Sequence, residues 1–361
     1  MADSYELEVV DVVEETADAR SIVLDPGEHR AEFAHKPGQF LTVAVPSDRT
    51  GLVARSYSLS SMPADEGPIT ITVKRTEEGY ASCWICDNLK AGDRLRVLPP
   101  SGIFTPKDLD ADLLLFAGGS GITPIMSITR TALARGSGRI VLFYANRDER
   151  SVIFSGALAD LAAQHPDRLQ VVHWLESVQG LPTQEQMKAF ASQYLEWDAF
   201  VCGPGPFMKL TVDALKDLEF PRERRHQEKF VSLGGNPFET DADREPGASD
   251  DDEDLSTSSS GTLVEPVEAT FSHLQVELDG ENLEYDDWPA GRTLLEHLES
   301  KGVKAPYSCR LGECSACAVR LLEGEVTMRN NDVLEDEDLD DGIRLACQSE
   351  AATEKVRVTY S

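Results

Sequence analysis

From Tyr5 to Leu98, short runs rich in Val, Ile, Thr and Leu are broken by turn residues: Glu8–Val13, Phe40–Val45, Arg55–Ser60, Ile69–Lys74 and Arg94–Leu98. Strands at such close intervals predict a small antiparallel β-barrel. The pattern changes after Asp112. Leu113–Ala117, Ile140–Tyr144, Leu169–Trp174 and Ala199–Cys202 are apolar runs with helical stretches between them. Such runs read as parallel strands buried on both faces, hence a doubly wound α/β domain. The C-terminal part mixes both habits, with Phe271–Leu278, Ala318–Leu322, Val326–Met328 and Lys355–Tyr360 as strands and Thr293–Lys301 as a helix.

Between Gly234 and Gly261 the periodicity is lost. Pro237, Pro246 and Gly247 lead into Asp250-Asp251-Asp252-Glu253-Asp254 and then a serine-rich run from Ser256 to Ser260. Like charges and small polar side chains bury too little apolar area to order a chain, which predicts a flexible acidic tether. The chain then divides as 1–108, 109–234, a linker at 235–268, and 269–361. Its 41% hydrophobic and 27% charged residues are those of a soluble globular protein. No apolar run approaches a membrane span, and Met1–Val10 lacks the basic start and apolar core of a signal peptide. A formal net charge of −30 argues against nucleic acid and anionic membranes as partners. It suits a partner with a basic docking patch, and equally a generally acidic, salt-adapted proteome.

Cys309, Cys314 and Cys317 stand as Cys-x₄-Cys-x₂-Cys, with Cys347 following after a long gap. That is the plant-type spacing for a [2Fe–2S] cluster held by four thiolates, whose negative charge offsets the ferric ions. Gly312, Ser315 and Ala316 are small enough to let the loop wrap closely and aim N–H groups at sulfur. A structural zinc site is the competing reading. Zinc usually takes two short Cys-x₂₋₄-Cys knuckles, whereas here three ligands crowd one loop. With four of seven cysteines so assigned, a disulfide framework is not indicated and a reducing cytoplasm is the natural setting. Cys83 and Cys86, three apart, are expected to pack in the barrel core.

Two further groups of residues suit a bound nucleotide. In Arg55-Ser56-Tyr57-Ser58 the arginine can fork onto a pyrophosphate, the tyrosine can stack on a planar ring, and Ser58 can donate to a ring nitrogen. Gly79-Tyr80-Ala81-Ser82 opens a helix with small residues, and its free N–H groups suit a phosphate. In the second domain Gly118-Gly119-Ser120-Gly121-Ile122-Thr123-Pro124 lies between strand and helix, where glycines let the backbone approach a pyrophosphate. Thr123 is expected to cap that helix, with Pro124 at its first position and the apolar body running from Ile125. Cys202-Gly203-Pro204-Gly205-Pro206 supplies a rigid companion turn at the end of the last strand. Selection between NADH and NADPH falls to Asn146-Arg147-Asp148-Glu149-Arg150. Arg147 or Arg150 could hold a 2′-phosphate, and Asp148 or Glu149 could repel one and take a ribose hydroxyl.

These motifs resemble the ferredoxin–NADP⁺ reductase superfamily. The resemblance implies a FAD-binding antiparallel barrel, a doubly wound NAD(P)H domain, and a C-terminal β-grasp (α+β) ferredoxin domain of the plant type. It implies that Arg55 and Ser82, with Gly79 and Ala81, hold the flavin phosphates. Tyr57 and Ser58 would serve the isoalloxazine, and Ser56, Val73 and Lys74 would bind along the cofactor. The presence of both phosphate elements favours FAD over FMN. Gly119, Gly121, Thr123, Pro124, Gly203 and Pro204 would hold the pyridine nucleotide, with Cys202 beside the nicotinamide carbon that gives up hydride. Ser58 and Cys202 are thus the expected catalytic pair, Phe230 an expected gate over the flavin, and NADH the favoured donor. Within the superfamily the chain is most similar to reductase components of 3-ketosteroid 9α-hydroxylases, with phenylacetyl-CoA epoxygenase reductases as near relatives. The expected partner is a terminal oxygenase of the Rieske type. A di-iron monooxygenase as acceptor, or a redox sensor that turns nothing over, are the alternatives.

Overall fold

The computed structural model describes residues 4–47, 51–64, 66–76, 79–230, 237–238, 271–278, 280–307, 309–334 and 336–360. Apart from 237 and 238, the expected tether at 235–268 lies outside the described residues. The chain divides into two compact units, Ala2–Leu233 and Gly234–Ser361.

The first unit begins with six antiparallel strands: β1 (Tyr5–Thr16), β2 (Ala19–Asp25), β3 (Phe40–Ser47), β4 (Gly51–Ser58), β5 (Ile69–Lys74) and β6 (Arg94–Val97). Their order is β4-β3-β6-β1-β2-β5. The barrel closes where Leu59 bridges Ile71 and Ser60 N–H donates to Thr70 O at 2.8 Å. Period-two alternation sends Leu7, Val9, Ile22, Leu24, Val43, Ile71 and Val97 into one core. Helix α1 (Tyr80–Asn88) adds the fully buried Ile85 to it. Strand β2 was not expected, because its short apolar stretch is flanked by Arg20 and Asp25.

The same unit continues as a five-stranded parallel sheet, β11-β10-β7-β8-β9. Its strands are β7 (Leu113–Gly118), β8 (Ile140–Asn146), β9 (Leu169–Leu175), β10 (Asp198–Cys202) and β11 (Arg225–Glu228). Helices α2 (Ile122–Arg135) and α3 (Ser155–Gln164) cover one face. Two others, α5 (Gln184–Ala191) and α6 (Gly205–Asp217), cover the opposite one, and the short α4 (Glu176–Gln179) follows β9. Burial of both faces explains the continuous apolar runs of β7, β8 and β10, whereas β9, expected to be buried too, lies at the sheet edge and buries only Leu169. Strand order reverses between β7 and β10, and ligands of such sheets bind at the carboxyl ends of the strands at that point. Helix α2 ties this layer to the barrel: Ser127 Oγ donates to Ser61 O at 2.6 Å and Arg130 Nη1 to Ser60 O at 2.9 Å.

In the second unit the sheet order is β13-β12-β18-β14-β16, from β12 (Phe271–Leu278), β13 (Glu281–Pro289), β14 (Ala318–Glu323), β16 (Ile343–Leu345) and β18 (Lys355–Thr359). A smaller ladder pairs β15 (Val326–Met328) with β17 (Ser349–Ala351), and α8 (Asp336–Asp340) precedes β16. Helix α7 (Leu294–Ser300) starts from a capping box between Thr293 and Glu296 and buries Leu294, Leu295 and Leu298 against the sheet. Each such leucine contributes roughly 1.5–3 kcal/mol. The parallel pairing of β12 with β18 inside a mixed sheet crossed by one helix is the β-grasp arrangement.

Candidate cofactor sites

Strand β4 pairs with β3, Ser58 opposite Phe40 and Ser56 opposite Thr42. Alternation along β4 puts Arg55 and Tyr57 on one face and Ser56 and Ser58 on the other. Tyr57 packs with Trp84 and Cys86 against the barrel core, and burial pushes its phenol up. Ser56 Oγ meets Thr42 Oγ1 at 3.1 Å. The hydroxyl of buried Ser58 has no hydrogen-bond partner among the described residues, leaving a donor for a ligand. Val73 lies wholly inside the barrel, so only its backbone can face a cofactor.

The start of α1 forms a cradle. A Cβ on Gly79 would lie 2.8 Å from Ser82 Oγ and 2.9 Å from Thr76 Cβ, so no larger residue fits. Ser82 Oγ accepts from Thr76 N–H at 3.1 Å and donates to Gly79 O at 3.2 Å, fixing the turn. The first turn carries no acidic residue and no side-chain cap, so its N–H groups, with Ala81 and Ser82 buried beneath, suit a phosphate. Cys86 packs against the barrel core as expected, though only half-buried, whereas Cys83 does not; their thiols turn to the carbonyls of Val73 and Thr76 at 3.7 and 3.8 Å.

At the switch point two turns interlock. A Cβ on Gly121 would fall 2.1 Å from Cys202 O, and one on Gly118 would fall 2.9 Å from Pro204 Cδ. A Cβ on Gly203 would lie 3.0 Å from Gly118 Cα. Such close approach packs the two turns backbone to backbone at the switch point, beside the crevice where sheets of this kind bind a pyrophosphate. Gly119 (φ +50°) sits in the left-handed region, and its carbonyl accepts from Tyr144 OH at 3.2 Å. Helix α2 starts earlier than expected, at Ile122 with Gly121 as its cap. Thr123 and Pro124 therefore lie buried within its first turn, and Thr123 Oγ1 donates to Ser120 O at 3.0 Å instead of capping. Gly119 also comes close to the barrel: Lys74 Nζ would lie 3.8 Å from a Cβ there, and it pairs with Asp18 at 3.7 Å.

Cys202 ends β10 fully buried, and the parallel ladder sets Glu228 of β11 directly beside it. Burial pushes the Glu228 carboxyl up to about 8, so it is protonated at neutral pH. Burial, and then Glu228, push the Cys202 thiol up as well. Sequence reasoning passed over Glu228 in Gln227-Glu228-Lys229-Phe230, since only the pairing with Cys202 singles it out. Phe230 lies beyond β11 with half its surface exposed. After β8, the Asp148 carboxylate accepts from the N–H groups of Arg150 and Ser151, both at 3.0 Å, so it serves as a cap. Arg147 pairs with Asp18 at 3.8 Å, and its carbonyl accepts from Ser177 N–H at 2.9 Å.

In the second unit, Cys309, Cys314, Cys317 and Cys347 are all buried. The sulfurs form two pairs, Cys309 with Cys314 at 3.2 Å and Cys317 with Cys347. Among the described residues no three ligating side chains converge on one point as a mononuclear site needs. Two thiols for each of two irons is the set a [2Fe–2S] cluster takes. The hydrogen bond with Cys314, followed by backbone N–H groups of Leu311, Glu313 and Cys314, brings the Cys309 thiol down despite burial. Cys317 and then the Gln348 amide lower Cys347. Gly312 (φ +81°) has no room for a side chain, since a Cβ would lie 2.7 Å from Asn330 O. Arg310 also adopts a left-handed φ of 60°. It is held there by a bidentate pair with Glu299, by stacking 4.0 Å over Tyr307, and by Gln348 Nε2 on its carbonyl at 2.7 Å.

Three family models match in the same order: an oxidoreductase FAD-binding domain at 6–105, an oxidoreductase NAD-binding domain at 115–213, and a 2Fe-2S iron-sulfur cluster binding domain at 276–352. The 3-ketosteroid-9-alpha-monooxygenase ferredoxin reductase component of Rhodococcus rhodochrous is 51% identical, the match covering 98% of this chain and 96% of that protein. Its counterpart from Mycolicibacterium smegmatis is 52% identical with the same coverage. The chain belongs to this family of ferredoxin reductase components. A glycine betaine monooxygenase reductase subunit from Chromohalobacter salexigens is similar at 33% identity over 96% of this chain and 92% of that one. Among solved structures, phthalate dioxygenase reductase superposes with a TM-score of 0.55 at 26% identity, covering 99% of this chain and 98% of the other. The cradle of the barrel, the crevice of the sheet and the paired thiols thus fit the FAD, NAD and 2Fe-2S groups of a monooxygenase reductase component.

Proposed function

We propose that this chain oxidises NADH at FAD and sends single electrons through its [2Fe–2S] cluster to the Rieske-type terminal oxygenase of a cytoplasmic 3-ketosteroid 9α-hydroxylase. Carrying this reading is the presence, on one chain, of a backbone-lined nucleotide crevice beside a phosphate cradle and of two buried thiol pairs. Bound flavin supplies the conversion from a hydride's electron pair to single electrons, which the cluster needs.

The residues of the first unit have separable tasks. Arg55 and the N–H groups at Gly79–Ser82 hold the flavin phosphates, and Ser58 offers its unpartnered hydroxyl to a ring nitrogen. Gly119, Gly121, Gly203 and Pro204 admit the nucleotide to the switch point. Cys202 and Glu228 form a dry, uncharged wall there, and Glu228 keeps a proton on its carboxyl that can be donated to a carboxamide or moved at turnover. NADH is favoured because Asp18 already pairs with Arg147, and its carboxylate would repel a 2′-phosphate brought to that guanidinium. In the second unit, N–H groups aimed at sulfur stabilise negative charge and so tune the potential. None of the seven cysteines is joined in a disulfide, which is compatible with a reducing cytoplasm. Among the described residues no helix is long and apolar enough to cross a membrane.

The test is reconstitution. Mixed with a Rieske-type 3-ketosteroid 9α-oxygenase, the chain should support NADH-dependent hydroxylation, with formation of product tracking NADH consumed. Rapid NADH-to-ferricyanide activity without hydroxylation would retain the reductase and reject the steroid partner.

A further inference from the structure

A chain of polar side chains crosses β2, β5 and the segment after β4 on the outside of the barrel. Ile22, Leu59, Ile71 and Val73 point into the barrel core, so alternation turns Ser21, Ser60 and Thr72 outward. All three are nonetheless buried, because this face lies under the parallel-sheet layer: Ala19, two residues before Ser21, belongs to the core around α2. Ser60 Oγ meets Thr72 Oγ1 at 2.7 Å, Thr72 Oγ1 meets Ser21 Oγ at 2.8 Å, and Ser21 Oγ donates to Glu15 Oε1 at 2.6 Å. Arg130 of α2 closes the chain, donating from Nη1 to Ser60 O at 2.9 Å. Burial pulls its guanidinium below the ordinary value, and the Glu15 carboxylate opposes that.

The Arg130 guanidinium also lies 5.6 Å from the centroid of the Phe154 ring. Phe154 holds a left-handed φ of 62° just before α3, three residues after the turn that Asp148 caps. One side chain therefore joins three segments: the helix that starts at the Gly119–Gly121 turn, the stretch two residues beyond Ser58, and the connection leading out of the turn after β8. Layers held only by apolar contacts can slide, whereas a closed chain of buried hydrogen bonds has one favoured arrangement, because a buried donor or acceptor left unpaired is costly. We infer that Arg130 is a positioning residue for hydride transfer, fixing the nucleotide crevice against the flavin strand. It touches neither cofactor's site itself and acts through Ser60 and Phe154. The inference rests on the proposed function, in which NADH reduces a flavin held at β4.

The test uses the full chain with its cofactors, and the unaltered protein is measured first. Flavin that NADH does not reduce would reject the proposed function itself, which tells that failure apart from failure of this inference. Arg130→Met, which keeps the bulk but neither the charge nor the donors, should slow flavin reduction in stopped flow about a hundredfold, as a misplacement of about 1 Å can. Tetrahydro-NADH, which stacks but gives up no hydride, reads the same geometry without turnover: its long-wavelength charge-transfer band with the flavin should be lost in the variant at saturation. Arg130→Lys, which keeps the charge and a donor, should recover most of the rate and the band. Where the methionine variant does not fold, Phe154→Leu removes the ring beside the guanidinium, leaves the hydrogen bonds in place, and should weaken both readouts severalfold. A methionine variant that melts earlier yet keeps the full rate and band would show that Arg130 only holds the layers together. In the absence of that variant, a leucine variant with the full rate and band would overturn the inference equally.

Discussion

In Gly234–Ser361 the atoms that would hold the cofactor are four side chains, three of them in one loop. In Ala2–Leu233 they are mostly backbone groups, contributed by turns that the sheet topology brings together from Gly118–Gly121 and Cys202–Pro204. One site is written in residue identity and spacing; the other depends on where strands end. The difference implies that the cluster loop should fail when a sulfur is lost, and the crevice should fail when a side chain is added.

The largest effect follows from the first half of that contrast. Cys314→Ser should lower electron delivery to an external iron acceptor on the order of a hundredfold or more. Flavin-level ferricyanide reduction by NADH should persist, so equal loss of both activities would erase the contrast. Gly121→Ala tests the other half. Its Cβ would fall 2.1 Å from Cys202 O and must displace the crevice. A misplacement of about 1 Å can cost about a hundredfold in hydride transfer. Iron content should be untouched, and normal NADH kinetics would show that the two turns do not form the nucleotide site.

Smaller effects sharpen the account of the crevice. Glu228 binds its proton more tightly in the folded chain than in the unfolded one. Between the ordinary carboxylate range and about 8 the native state therefore holds the extra proton, and stability falls as pH rises through that window. NADH oxidation should fall above pH 8, by about tenfold per pH unit if the protonated carboxyl is required. Glu228→Gln, with a neutral donor at every pH, should flatten both profiles in stopped-flow and thermal-melt series. A mutant that keeps the same alkaline fall would relieve Glu228 of that role. Last, Asp18→Asn should raise the ratio of kcat/KM for NADPH over NADH severalfold, about 1 kcal/mol for a screened surface charge. An unmoved ratio would mean that selectivity lies elsewhere.

The same contrast explains what could be read beforehand. The barrel, the parallel sheet and the thiol spacing were legible because Ile71, Leu115 or Cys309 each does one thing wherever the chain goes. Strand β13 was missed, since Glu281, Glu284, Asp286 and Asp287 give an edge strand no apolar period and only Trp288 is buried. Thr123 was misread as a cap because the true cap two residues upstream, Gly121, makes no side-chain bond and so leaves no mark. Asp148 or Glu149 was left open as the partner of a ribose hydroxyl, and what the spacing did not show is that Asp148 Oδ1 caps the next turn. Glu228 acquires meaning only through ladder register, which places it beside Cys202. No local pattern carries that information.

The central claim is that one chain carries both a flavin and a two-iron cluster in series. Anaerobic titration with NADH, followed in the visible range alongside iron and flavin extraction, tests it most directly. The account predicts a yellow-brown protein with one flavin and about two irons per chain, in which NADH bleaches both chromophores, whereas Cys314→Ser bleaches only the flavin. A pale protein free of iron, or a cluster that stays oxidised while the flavin is fully reduced, would contradict it.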